Sequence, residues 1–157
     1  MYWKLPRKEF NAGQGEGNRL AQKAILASGR TPGLLAYVDG VPAGWCAVEP
    51  RQVYSSLARS RILAPVDETP VWSVTCFFVD KRYRRQGLTV ALLRAVVDYV
   101  KEQGGKVVEG YPVEPRKGQK TSPVFIYTGT ASAFRQAGFV EVARRSETRP
   151  IMRYNIH

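Results

Sequence analysis

The sequence has few of the residues that bind metal ions or form disulfide frameworks. Its 157 residues include two cysteines, Cys46 and Cys76, and one histidine, His157. Both cysteines lie in apolar, strand-like runs, where a buried and reduced thiol is the usual state. Two cysteines without nearby histidines do not form the ligand set of a zinc site, so we expect no metal. Cys76 also has no neighbouring base that would make it a nucleophile.

Long apolar segments are also absent from the chain. No run approaches the roughly 20 apolar residues of a membrane span, and no signal-peptide pattern is present. We therefore expect a cytoplasmic protein that does not bind membranes. The sequence contains no repeat and no low-complexity linker, so a single domain over residues 1–157 is predicted.

Acidic residues are scarce relative to basic ones. The chain has 24 lysines and arginines against 13 aspartates and glutamates, a net charge of +11. Such an excess favours anionic partners. No helix-turn-helix, zinc or aromatic single-strand signature accompanies it, so specific nucleic-acid binding is not expected. Part of the charge is concentrated in one loop that contains Lys81, Arg82, Arg84 and Arg85.

This basic loop lies between a predicted strand and a predicted helix. The apolar run 71–79 indicates a buried strand, and residues 88–103 have helical periodicity. The predicted inner face of the helix consists of Leu88, Ala91, Leu92, Ala95, Val96, Tyr99 and Val100. A second strand is predicted over 106–113, so the two strands should be parallel neighbours. Gly87 and the positive end of the helix dipole make the loop a candidate phosphate site.

Two common phosphate-binding motifs are missing. The chain has no G-x-x-x-x-G-K-[ST] sequence, and no G-x-G-x-x-G follows a strand, which argues against nucleoside triphosphate and dinucleotide folds. The glycine-rich segment 13–17 has no strand before it, and we interpret it as a loop leading into a helix over 19–28.

The basic loop instead resembles the acyl-CoA-binding segment of the GNAT superfamily of N-acetyltransferases, whose pattern is [RQ]-x-x-G-x-[GA]. Arg84, Gly87 and Thr89 occupy the three fixed positions, with Thr89 departing from glycine or alanine. Segment 131–139 is similar to the family's late helix, which ends in a Gly-Phe pair. Where many members have a tyrosine that protonates the departing thiolate, this chain has Phe134. The resemblance covers roughly residues 34 to 153.

The resemblance implies an α/β (α+β) fold with a mixed, mostly antiparallel central sheet flanked by helices. Its two central strands are expected to be parallel and splayed around the acyl-CoA site. Runs 33–38 and 43–48 flank Asp39-Gly40, a strong hairpin signal. Little room remains before this hairpin for the family's first strand. That strand is absent, or residues 2–5 form a remnant of it, or the chain begins inside a longer one.

Acetyl-CoA is the acyl donor that the resemblance implies. The residues expected to bind it are Phe77, Phe78, Val79, Arg84, Arg85, Gln86, Gly87, Leu88 and Thr89. We expect an N-acetyltransferase that moves an acetyl group to an amine of an unidentified acceptor, by direct attack in a ternary complex. A homodimer is compatible with this activity. The alternatives are a non-catalytic acyl-CoA-binding module and, less favoured, a basic nucleic-acid-binding domain.

Acid–base residues are hard to find on the predicted cofactor strand, whose polar residues are Ser73 and Thr75. Glu109, on the following strand, is the predicted general base, with Glu49 as the alternate. A structural ion pair for Glu109 fits the pattern equally well.

A proton donor must also replace the tyrosine that the family has at position 134. Tyr111 is the predicted donor, with Tyr127 as the alternate. In the irregular segment 50–70 we expect a surface loop, with several candidates for a substrate entrance: Arg51, Tyr54, Arg59 and Arg61.

Overall fold

The computed structural model describes residues 1–116, 118, 122 and 126–157. A mixed sheet of six strands in the order β1-β2-β3-β4-β6-β5 forms its centre. The strands are β1 (Gly33–Val38), β2 (Val41–Pro50), β3 (Trp72–Val79), β4 (Val107–Gly110), β5 (Val140–Arg144) and β6 (Pro150–Asn155). Strands β3 and β4 are parallel, and the other four neighbouring pairs are antiparallel. The predicted mixed, mostly antiparallel sheet is confirmed.

Five helices accompany this sheet in the described part of the chain. They are α1 (Arg7–Ala12), α2 (Glu16–Ala27), α3 (Ser55–Ala58), α4 (Leu88–Glu102) and α5 (Ala131–Gln136). The main core contains buried side chains of α4 and α5 together with those of the central strands. None of the described helices is long and apolar enough to cross a membrane.

The predicted hairpin is confirmed, since β1 and β2 are joined at Asp39 and Gly40. Both residues have positive φ angles, 49° and 76°. Such a turn matches the twist of the flanking strands, and glycine adopts this conformation without a steric cost.

Helix α4 is also confirmed, but its inner face differs from the prediction. Leu92, Val96 and Val100 are buried as expected, together with Leu93 and Val97. Ala91 and Ala95, which were predicted to face inward, are exposed. Both sets of residues are apolar, so the larger side chains, which bury more surface, took the core positions.

The N-terminal region contains no strand over residues 1–32, all of which are described. Residues 2–5 form a turn in which the N–H groups of Lys4 and Leu5 donate to the carbonyl of Met1. Of the three alternatives, the remnant strand over residues 2–5 is therefore not found. The glycine-rich segment is a short turn between α1 and α2, and α2 begins at Glu16 rather than at Arg19.

Two irregularities of β3 create the space for a site. The register between β2 and β3 shifts after Ala47, which pairs with Cys76, while Val48 pairs with Val74. Thr75 is therefore the extra residue of a β-bulge, a feature that bends strands beside active sites. Strands β3 and β4 pair only from Trp72 to Val74, and beyond that point they separate.

Candidate active site

A cavity of about 700 Å³ lies beside the end of β3. One wall comes from β3 and the start of α4, and it consists of Phe77, Phe78, Val79, Arg84, Arg85 and Thr89. The opposite wall comes from the chain that precedes α5, and it consists of Ile126, Tyr127, Gly129 and Thr130. The structure thus brings together two segments that are about 50 residues apart in the sequence.

Six of the nine residues predicted to bind the acyl donor line this cavity. The other three, Gln86, Gly87 and Leu88, lie between Arg85 and Thr89 at the N-terminal end of α4. Gly87 is the N-cap residue and has a left-handed conformation, with φ of 79°. Gln86 donates through Nε2 to the carbonyl of Arg82 at 3.1 Å. None of these three residues is among the described residues that line the cavity.

Positive charge is arranged around the same point. The first turn of α4 has backbone N–H groups without helical partners, and its dipole adds partial positive charge. Arg84 donates through Nε to the carbonyl of Val79 at 3.1 Å, which places its guanidinium at the cavity edge. Arg85 lines the cavity with φ of 61°, an uncommon conformation for a residue with a side chain. Arg82 is instead paired with Asp80 at 3.0 Å.

The edge of β3 that faces the cavity carries backbone donors. The N–H of Phe77 donates to the carbonyl of Tyr127 at 2.6 Å, whereas the N–H of Asp80 donates to Ala43 on β2 at 2.9 Å. Because backbone groups alternate along a strand, the N–H of Val79 lies on the same edge as that of Phe77. The Phe77 donor is thus engaged within the chain, and the Val79 donor faces the cavity.

Glu109 lies in a buried network of ionic and hydrogen bonds and is 0% exposed. Its Oε1 accepts from Arg51 Nη1 at 3.2 Å and from the Tyr111 hydroxyl at 2.7 Å. Its Oε2 accepts from Arg153 Nε at 2.7 Å. The carboxylate therefore has the structural ion pairs that the sequence left open as an alternative. Arg51, a candidate for the substrate entrance, belongs to this network.

Tyr111 is buried beside Glu109, and burial raises the pKa of its hydroxyl. The hydroxyl also shares a hydrogen bond of 2.8 Å with Ser73 on β3. Neither Glu109 nor Tyr111 is among the residues that line the two larger cavities. Their roles as base and acid remain predictions. Within this hydrogen-bond network, Ser73 lies nearest to the point where β3 and β4 separate.

The two alternate residues lie in different surroundings. Glu49 is 4% exposed on β2 and forms ion pairs with Lys4 and Arg30, and its side chain lines neither of the two larger cavities. Tyr127 lines the cavity beside β3 with 36% of its surface exposed. Partial burial raises the pKa of its phenol, so the hydroxyl is protonated at neutral pH. Of the four predicted acid–base residues, Tyr127 is the one that the structure places at the cavity.

Phe134 is entirely buried, and its ring packs edge-on against Phe77 and Phe139 at centroid distances of 6.2 and 5.0 Å. Position 134, where many members of the family that the sequence resembles have a tyrosine as general acid, is therefore part of the core here. Thr130 caps the same helix by accepting from the N–H of Ala133 at 3.3 Å. The Gly-Thr pair at 129–130 was the available sequence signal for the wall that lies opposite β3 in this cavity, and it did not enter the prediction.

A second cavity, of about 570 Å³, lies on the other side of β3. Thr75 and Cys76 belong to its lining, whereas the next residue, Phe77, lines the first cavity. Consecutive residues of β3 therefore line two different cavities, and the change occurs just after the bulge at Thr75. Burial raises the pKa of the Cys76 thiol, which disfavours a thiolate nucleophile.

Most of this second cavity is lined by aromatic and aliphatic side chains. They include Tyr2, Trp3, Phe10, Leu26, Trp45 and Tyr54. Of these, the sequence had indicated only Tyr54 as a candidate for the substrate entrance. No cluster of histidine, cysteine, aspartate or glutamate that could hold a metal ion occurs in the described ranges.

Comparison with known proteins agrees with this geometry. A sequence model of the acetyltransferase (GNAT) family matches residues 2–115. No curated protein matches the sequence significantly. Similar solved structures include a GNAT-family protein from Desulfovibrio desulfuricans, with 21% identity, a TM-score of 0.55, and 97% of this chain and 94% of that chain covered.

Two further structures share the fold at low sequence identity. The ribosomal-protein-alanine N-acetyltransferase of Brucella melitensis has 15% identity and a TM-score of 0.55, covering 90% of this chain and 78% of that one. A protein from Salmonella typhimurium, solved with its cofactor acetyl-CoA, has 17% identity and a TM-score of 0.54, covering 88% and 72%. Because the family model spans well over half of the sequence, the chain belongs to the GNAT family of acetyltransferases.

Proposed function

We propose that the protein is an N-acetyltransferase that uses acetyl-CoA as donor and transfers the acetyl group directly to an amine in a ternary complex. The observation that carries this proposal is that consecutive residues of β3 line two cavities, Thr75 and Cys76 the second and Phe77 to Val79 the first. One cavity has the backbone and charge features of an acyl-CoA site, and the other gives an acceptor access from the opposite side. In the reaction a C–N bond forms, the C–S bond breaks, the nitrogen loses a proton, and the CoA sulfur gains one.

The residues of the first cavity fit acetyl-CoA. The N-terminal end of α4 suits a pyrophosphate because backbone N–H groups and the helix dipole converge there. Gly87 lets the loop turn into the helix without a side chain. Arg84 and Arg85 add charge beside it, and the Val79 N–H is available to an amide of the pantetheine arm. Thr89, which departs from the family pattern, contributes a hydroxyl at the cavity wall.

We assign the proton that reaches the CoA sulfur to Tyr127. Its side chain lines the first cavity, and its backbone carbonyl accepts from the N–H of Phe77, the residue that follows Cys76 of the second cavity. A phenol that remains protonated at neutral pH is a suitable general acid for a thiolate. In this arrangement Glu109 can act as a base only through the hydrogen-bonded hydroxyls of Tyr111 and Ser73.

A non-catalytic acyl-CoA-binding module is the second candidate. It is supported by the burial of Phe134 and by the absence of carboxylates among the described residues that line the two larger cavities. In that case acetyl-CoA would bind without any transfer to an amine.

Calorimetric titration with acetyl-CoA, followed by an assay of thiol release with a panel of amines, tests the proposal. Saturable binding together with amine-dependent thiol release supports the enzyme. Binding without release for any amine favours the binding module. Absence of binding contradicts both functions, and a tight, sequence-selective DNA complex would favour the nucleic-acid alternative.

A further inference from the structure

We infer that the acceptor is an aromatic amine that enters the second cavity uncharged and carries a hydrogen-bond acceptor on its ring. The inference rests on the proposed function and specifies its substrate class. Three features of the cavity carry it: the aromatic lining, two buried donors, and the absence of acidic side chains.

The lining favours a planar, apolar molecule. Rings from three parts of the chain surround the cavity: Tyr2, Trp3 and Phe10 from the N-terminal region, Trp45 from β2, and Tyr54 from the segment before α3. Aromatic side chains bind other rings by edge-on and offset contacts in addition to excluding water. A cavity of about 570 Å³ lies in the range of small-molecule sites.

Two polar groups in this apolar lining lack partners. The Tyr54 hydroxyl and the Trp3 Nε1 are buried and have no well-directed hydrogen bond to any described residue. Tyr54 is 2% exposed, and the neighbouring Thr75 side chain is close without forming such a bond. A buried donor without a partner is costly. A ligand that offers an oxygen acceptor, such as a carbonyl on its ring, would satisfy these groups.

The charge of the cavity disfavours an ammonium group. Its charged lining side chains, Lys4 and Arg19, are paired with Glu49 and Glu16, and no aspartate or glutamate lines it, so no free carboxylate remains for an ammonium. The seven positions outside the described ranges contain no acidic residue either. The Lys4 ammonium also lies 5.7 Å from the centre of the Tyr54 ring, so this face already has a cation.

An alkylamine is mostly protonated at neutral pH and would need a counter-ion or a nearby base in this cavity. An aromatic amine is uncharged under the same conditions and keeps its lone pair for attack on the thioester. It needs no base before the attack, which agrees with a site in which Glu109 and Glu49 are engaged in ion pairs. The lining, the unpartnered donors and the charge therefore indicate the same class of acceptor.

The test compares three amines at saturating acetyl-CoA: para-aminoacetophenone, para-toluidine and benzylamine. At neutral pH the aryl amines should exceed benzylamine in kcat/KM by about 100-fold, since only roughly one alkylamine molecule in several hundred is uncharged there. Between neutral and alkaline pH, kcat/KM should rise for benzylamine and stay level for the aryl amines. A higher kcat/KM for benzylamine at neutral pH would overturn the inference.

The variant Tyr54→Phe tests the hydrogen bond to the ring substituent. Loss of the hydroxyl should raise KM for para-aminoacetophenone by about tenfold and leave para-toluidine within about twofold. Because this hydroxyl has no hydrogen-bond partner among the described residues, the variant should retain the wild-type melting temperature. Tyr37→Phe, at a position 58% exposed on β1, is the matched control and should change neither KM.

Acceptor binding is measured separately, by quenching of tryptophan fluorescence with para-aminoacetophenone, because Trp3 and Trp45 line the cavity. If this amine does not bind at millimolar concentration while acetyl-CoA does, the inference fails and the proposed donor site stands. If acetyl-CoA does not bind, the proposed function itself fails. Equal effects of Tyr54→Phe on both aryl amines would contradict the proposed contact with the ring substituent.

Discussion

Glu109 lies directly opposite Arg153 in the pairing of β4 with β6, and Nε of the arginine donates to the carboxylate at 2.7 Å. Arg153 continues to Asp67 at 2.6 Å, and Arg51 approaches Glu109 from the other side. A carboxylate without solvent exposure is thus held between two guanidinium groups. The network connects the parallel strand β4 to the irregular segment that precedes β3.

Replacement of Glu109 tests the two roles that this residue can have. Glu109→Gln leaves two partly buried arginines without their shared carboxylate, so the free energy of unfolding should fall by about 3 kcal/mol. Chemical denaturation measures this change, and the exposed Glu102→Gln on α4 should stay close to wild type.

Activity then separates the two interpretations. With an aryl amine, at a temperature where Glu109→Gln is folded, turnover should remain within a few-fold of wild type. A loss of roughly 100-fold with unchanged stability would instead support Glu109 as the general base.

Asp67 should make the stability of the fold sensitive to acid. Hydrogen bonds from the Arg153 guanidinium lower the pKa of Asp67 below its ordinary value of 3.8. Because its pKa is lower in the folded state, the ionised carboxylate stabilises the fold at pH values above its ordinary pKa. This stabilisation is lost as the pH falls through the pKa of the folded state. Urea denaturation at neutral and acidic pH should show Asp67→Asn less stable than wild type near neutrality, with a smaller loss in acid. If wild type and Asp67→Asn lose the same amount of stability between neutral and acidic pH, the ion pair of Asp67 with Arg153 does not cause the acid sensitivity.

The sequence predicted those parts of the fold that depend on residues close together in the sequence. The Asp39-Gly40 turn, helix α4 and the Arg84-to-Thr89 loop each have a local signal, and each lies where it was expected. The wall formed by Ile126 to Thr130 meets β3 through a contact between Phe77 and Tyr127, which no local pattern encodes. Apolar periodicity also could not distinguish Ala91 and Ala95 from Leu93 and Val97, because only packing decides between them.

The partners of Glu109 illustrate the same limit for the site. Arg51 and Arg153 are 58 and 44 residues away in sequence, so the choice between a base and an ion-pair partner depended on tertiary contacts. The acceptor cavity depended on aromatic residues before the first strand. No local pattern in the sequence showed that these residues enclose a space.

The proposed pyrophosphate site can be tested with a charge at the start of α4. Gly87→Asp places a carboxylate where the phosphates should bind, so the affinity for CoA should fall by several kcal/mol in calorimetry. Gly104→Asp is a matched control, since Gly104 follows the other end of α4 with φ of 77°, close to the 79° of Gly87. A Cβ added at either Gly87 or Gly104 would meet no other described atom within 4 Å.

Both aspartate variants carry the same charge and a similar backbone cost of about 1 kcal/mol. The melting temperature should fall more in Gly104→Asp, whose carboxylate lies at the negative end of the α4 dipole, while only Gly87→Asp loses CoA affinity. Unchanged affinity in Gly87→Asp would remove the proposed site, and equal losses in both variants would indicate a general effect on the fold.

Restoring the family's usual tyrosine should not restore a general acid in this protein. Phe134 is fully buried between Phe77 and Phe139, so Phe134→Tyr would place a hydroxyl in an apolar environment. We expect the free energy of unfolding to fall by about 1–3 kcal/mol, without a gain in turnover. Thermal denaturation and the thiol-release assay measure the two effects. A several-fold gain in turnover would show that this position reaches the reacting sulfur.

Tyr127 gives the most direct test of the proposed proton transfer. Tyr127→Phe keeps the ring, and the backbone carbonyl that accepts from Phe77 is unchanged, so the cavity wall should be retained. Turnover should fall by about 100-fold, because the departing thiolate loses its proton donor. The dissociation constant of acetyl-CoA should stay within about twofold, since the proposed phosphate site lies at the start of α4 and does not use this hydroxyl. Turnover is measured by thiol release at saturating donor, with Tyr37→Phe as the control. Wild-type turnover in Tyr127→Phe would assign the role of proton donor to another group. Loss of acetyl-CoA affinity would show that the hydroxyl serves binding.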